Sequence, residues 1–92
     1  MMKVDLLEIE KIFDELIKEK MLPEEASNWA RARLFAYDNG DLEYQPARDK
    51  NKIFRSIKYL VGVDLKDVDG SYLHSVFNFI EFAKENSLIW NK

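Results

Sequence analysis

Apolar residues recur at three- and four-residue spacing in four separate segments, and this restricts the possible folds more than any other feature of the chain. Leu6, Ile9, Ile12, Phe13, Leu16 and Ile17 trace one face of a helix expected over residues 5–20. Asp5 is placed to cap its free amides, with Glu8 three residues on completing a capping-box pattern. Met21 and Leu22 form a short connector. Pro23 then opens a second helix, where its missing N–H costs least. Ala26, Trp29, Ala30, Leu34 and Tyr37 carry the period, and Trp29 reads as a core anchor flanked by the two alanines. Asp38, Asn39 and Gly40 end the segment, with Gly40 suited to the left-handed position after a helix. So short a turn predicts that the first two helices pack antiparallel.

Residues 41–47 read as a loop containing Leu42, Tyr44 and Pro46. Asp49 is a candidate N-cap for a third helix through Ile53, Phe54, Ile57, Leu60 and Val61, which Gly62 stops. An ordered loop follows. Ser75 is the candidate cap of a fourth helix, with Val76, Phe79, Ile80 and Ala83 on its inner face, Phe77 and Phe82 flanking, and an end near Asn86. In the tail, Ile89 and Trp90 are expected to dock on the domain, because termini rarely expose large apolar groups. The expected fold is all-α: a compact bundle of about four helices in one domain, residues 1–92, with an ordered loop between helices 3 and 4.

A composition of 47% hydrophobic and 34% charged residues suits one modest core. No apolar run approaches the roughly 20 residues of a membrane span. No basic region followed by an apolar core marks a signal peptide, so the expected location is cytoplasmic, without membrane contact. With no cysteine, disulfides, thiolate chemistry and Cys-based zinc sites are excluded. The net charge of −3 is mild, but its distribution is uneven. Residues 1–45 hold six Lys/Arg against eleven Asp/Glu, whereas residues 46–92 hold eight against six. Arg48, Lys50, Lys52, Arg55 and Lys58 are accompanied only by Asp49. Such a run can contact phosphates, yet the acidic balance of the whole chain argues against direct nucleic-acid binding.

The loop between the third and fourth helices gathers Asp64, Asp67, Asp69, Tyr72 and His74. Setting Gly70 at the glycine position of an EF-hand loop puts Asp67 and Asp69 at ligand positions, but Leu65 and Val76 fall where oxygen ligands are required. Calcium is therefore not expected, and the aspartates read as turn formers through bonds to backbone amides. His74 is the only histidine, with no cysteine to share a metal. No phosphate loop, nucleophile elbow or HExxH is present. The residues thus indicate no catalytic set, cofactor or metal.

Two segments resemble a family of small bacterial proteins that includes immunity and immunity-like proteins of polymorphic toxin and contact-dependent inhibition systems. One is Pro23-Glu24-Glu25-Ala26-Ser27-Asn28-Trp29-Ala30. The other is Leu60-Val61-Gly62-Val63-Asp64-Leu65, followed by Gly70-Ser71-Tyr72-Leu73-His74 and Phe79. Pro23 departs from the pattern, standing where the family often has a serine-containing cap. The resemblance implies a non-enzymatic cytoplasmic protein that binds and blocks one cognate toxin domain, often a cationic nuclease, by stoichiometric contact. On that view Trp29, Gly62, Leu65, Gly70 and Tyr72 form a structural signature, with Leu65 and Tyr72 plugging the core. Partner contact is expected from Asp38, Asp41, Glu43 and Tyr44, where acids give steering and the tyrosine an anchor. A regulatory or adaptor domain is the alternative within binding proteins. A small hydrolase or nuclease using His74 is the alternative from another class.

Overall fold

The computed structural model describes residues 1–90. Four α-helices form where the apolar period predicts them: α1 (Leu6–Ile17), α2 (Pro23–Asp38), α3 (Lys50–Val61) and α4 (Val76–Glu85). Two strands join them, β1 (Met2–Asp5) and β2 (Leu42–Gln45), so the fold is mixed α/β and helix-dominated, not all-α. The strands pair in parallel, with Met2 opposite Leu42 and Asp5 opposite Gln45. A parallel pair needs a long crossover, which α1 and α2 supply together. Periodicity could not disclose these strands, since each is four residues long and pairs some forty positions away. Val4 is fully buried beneath this sheet, and Leu42 and Tyr44 face the core while Glu43 and Gln45 face out.

The helix ends follow local chemistry. The Asp5 carboxylate accepts from the Leu7 N–H at 2.9 Å, and the Asp5 N–H donates to Glu8 at 3.2 Å. Ser75 and Asn78 cap α4 reciprocally, the Ser75 N–H donating to Asn78 Oδ1 at 2.8 Å. Asp49 occupies the N-cap of α3 but makes no side-chain cap bond, because a 3-10 turn over Ala47–Asp49 leads into the helix instead.

The helices do not pack as a sequential hairpin. α2 lies mainly against α3, and α1 against α4, while α1 and α2 meet only briefly. Buried Ser27 fixes the α2–α3 contact by donating to the Val61 carbonyl at 2.7 Å. Ile9, Phe13, Leu16, Ile53, Ile57, Leu60, Val63, Phe79 and Ala83 form the centre of the core. Phe13, Phe82 and Tyr59 stack through it, with Phe82 and Tyr59 centroids 4.1 Å apart. Trp29 lies partly buried at the core edge, beneath the Arg33 guanidinium at 4.3 Å. Leu88 is buried and Trp90 packs on the core, but Ile89 is 74% exposed, so the tail docks through its neighbours. No helix among the described residues is long and apolar enough to cross a membrane.

Candidate functional site

The loop after α3 folds on itself as a small hairpin. Lys66 and Tyr72 form an antiparallel bridge, the Asp67 N–H donates to the Ser71 carbonyl at 2.8 Å, and the Gly70 N–H donates to the Asp67 carbonyl at 2.9 Å. Gly70 takes φ +89°, which an L side chain rarely adopts, so the expected role of turning the chain holds. The aspartates serve that turn. Asp67 accepts from the Val68 N–H at 2.7 Å, and Asp69 accepts from the Ser71 N–H and hydroxyl at 2.9 and 2.6 Å. Those bonds from Ser71 hold the Asp69 carboxyl below its ordinary range. Asp64 turns away toward Arg31, 3.6 Å distant. Among the described residues no three carboxylates or imidazoles gather as a metal site.

Two signature residues occupy other places than the core. Leu65 is 53% exposed, and Tyr72 is 38% exposed. The Tyr72 hydroxyl instead donates to Glu24 at the start of α2, at 2.8 Å, and Lys66 stands 3.6 Å from the same carboxylate. This latch ties the hairpin to α2. It holds Glu24 below and Tyr72 above their ordinary pKa values, each chiefly through their shared bond. Gly62 caps α3 at φ −102°, and a Cβ there would meet only ordinary contacts, so its backbone needs no glycine.

His74 stands edge-on to Tyr59, with ring centroids 5.3 Å apart. It lines a mostly apolar cavity of about 390 Å³ whose wall includes Leu16, Met21, Val76 and Phe79. Burial pushes the adjoining Tyr59 hydroxyl up to about 12, with Glu81 and Glu85 adding to the shift. Among the described residues no hydrogen bond joins His74 to an acid or a hydroxyl.

The residues expected to contact a partner do come together, with one exception. α2 ends in a Schellman motif: the Gly40 N–H donates to Tyr37 at 3.0 Å, and the Asp41 N–H donates to Ala36 at 2.8 Å, with Gly40 at φ +73°. The chain then enters β2 directly. Asp38, Asp41 and Glu43 are therefore held on one rigid corner, all exposed and none in an ion pair among the described residues. Tyr44 is the exception. The alternation of β2 turns its ring inward, burying its hydroxyl without a partner, and it cannot serve as an exposed anchor. The corner's available aromatic is Tyr37, 44% exposed and tilted against Phe54, with ring centroids 4.4 Å apart. Sequence reading missed it because Tyr37 shares the helical period of the core residues.

The basic run lies on the outer side of α3. Arg48, Lys50, Arg55 and Lys58 are exposed and Lys52 partly so. None of the five is in an ion pair among the described residues. The Lys58 ammonium sits 5.1 Å from the Phe54 centroid, and Arg55 donates to Asn86 at 3.0 Å.

Searched against known proteins, the chain matches no family model, no curated protein and no solved structure.

Proposed function

We propose that this protein is a cytoplasmic immunity protein that binds and neutralises a toxin domain by stoichiometric contact, without catalysis. The resemblance of residues 23–30 and 60–79 supplies the class. The observation that carries the proposed surface is the corner built by Gly40: Asp38, Asp41 and Glu43 project unpaired from a fixed turn beside a half-exposed tyrosine. Carboxylates carried on a fixed backbone turn attract a cationic surface at range. Tyr37, already held by its tilted contact with the Phe54 ring, adds an aromatic contact. A basic nuclease domain has the complementary chemistry.

The test begins with the open reading frame immediately upstream. Co-expression of that polypeptide should be tolerated only with this protein present, and the two should co-purify at equal stoichiometry. Reversing charge at Asp38, Asp41 and Glu43 together should weaken binding about 10- to 100-fold, with unchanged circular dichroism. Tyr37→Ala should act mainly on the dissociation rate. Protection that survives without complex formation would sink the reading. Undiminished affinity after charge reversal would remove the corner from the interface.

A further inference from the structure

α3 spans twelve residues and contains no acidic side chain. At about 100° per residue, Lys50, Phe54, Lys58, Asn51 and Arg55 fall in sequence around an outward arc of about 140°. Its buried residues, Ile53, Ser56, Ile57 and Leu60, occupy the opposite side. Arg48, in the preceding 3-10 turn, is exposed at the helix entrance. Although the chain has 17 acidic residues, none neutralises these cations among the described residues. Three aromatic rings accompany them, of which the partly buried Tyr44 lies 5.7 Å from the Lys50 ammonium. Phe54 is half-buried and lies between the Lys58 ammonium and Tyr37, and Tyr37 is 44% exposed.

We propose that the outward face of α3, together with Tyr37, docks single-stranded nucleic acid. A polymer meets the local face, not the summed charge of −3. Three cations on this face of α3, with Arg48 at its entrance, match a row of phosphates, and binding by such a row is electrostatic and independent of sequence. The rings separate this occupant from an acidic polypeptide. Carboxylates would use the cations but offer no flat surface to Tyr37, whereas an unpaired base stacks on an exposed aromatic regardless of its identity. Duplex fits less well, because its bases are already stacked and cannot reach Tyr37. The inference goes beyond the toxin-binding reading and shares only Tyr37 with the proposed toxin-binding corner, so the Arg55 and Lys58 variants test it separately from that reading.

Fluorescence anisotropy of a fluorescein-labelled oligothymidylate of about 20 nucleotides tests it, with the full chain at low salt. Saturable binding is expected, weakening about 50-fold between about 25 and about 100 mM salt if four phosphates are contacted. Arg55→Glu with Lys58→Glu should reduce affinity by at least about 30-fold. Lys3→Glu with Lys11→Glu changes net charge equally on β1 and α1 and should change it less than about threefold. Tyr37→Ala should cost about fivefold or more while leaving the salt slope unchanged. Circular dichroism of each variant checks that the helices persist. Absence of binding overturns the proposal, as does an equal loss from the two double variants. So does displacement of the oligonucleotide by polyglutamate as readily as by unlabelled oligothymidylate, which would make the face a reader of charge alone.

Discussion

Glu19 stands at φ +59°, a backbone region that costs an L residue about 1 kcal/mol or more. It is there because α1 ends as α2 does: the Glu19 N–H donates to Leu16 and the Lys20 N–H to Glu15, at 3.1 and 2.8 Å. Ser87 holds the matching position after α4 at φ +55°, with the Leu88 N–H donating to Ala83 at 2.8 Å. Three helices thus share one terminating geometry, and only α2 meets it with glycine. Glu19→Gly should stabilise the protein by about 0.5–1 kcal/mol, read as a raised urea midpoint with an unchanged slope. Unchanged or lowered stability would mean that the Glu19 side chain contributes more than its backbone costs. At this scale Gly40 was legible in the sequence, because glycine after a helix declares its conformation. Glu19 and Ser87 were not, because nothing in their chemistry favours positive φ.

β1 and β2 show how an element can depend on the whole fold. Two short strands have little stability alone, and these persist because Val4 is fully buried against the helices that their crossover supplies. Val4→Ala should therefore cost about 2 kcal/mol in denaturant unfolding. Met2→Ala on the same strand, at a side chain 37% exposed, should cost less than about 0.5 kcal/mol. Equal costs at the two positions would show that the strand is held by its backbone ladder alone. The helices were legible because their partners lie three and four residues away along the same segment. The strands were not, since a parallel partner is recognised only after the intervening helices have folded.

At the scale of the molecule, α1 is joined to the segment that follows α4. Glu10 on α1 is 9% exposed, and its carboxylate accepts from the Ile89 N–H at 2.7 Å across 79 positions. The bond draws Leu88 and Trp90 onto the core from either side of exposed Ile89. Glu10→Ala should cost about 1–3 kcal/mol by leaving that amide unpaired. In a Trp29→Phe background it should also shift Trp90 emission to the red as the tail loosens. Glu10→Gln keeps an acceptor and should lose less. If Trp90 emission stays unchanged in the alanine variant, the tail is held by packing alone. Charge is arranged at this scale too, with the acidic corner rigid at the end of α2 and the cations of α3 facing outward without acid partners among the described residues.

By itself the sequence determined the four helices, the Asp5 and Ser75 caps, the turn at Gly70 and the grouping of Asp38, Asp41 and Glu43. Each depends on residues a few positions apart, within reach of local hydrogen bonds and helical period. Only the tertiary structure decided that Tyr44 faces inward, that Tyr37 replaces it at the corner, and that Tyr72 latches the hairpin to α2 instead of filling the core. It also decided the parallel strand pair and the pairing of α2 with α3. The physical reason is common to all of these. Which way a side chain points, and what it meets there, depends on elements tens of residues away, and burial is a property of the assembled core.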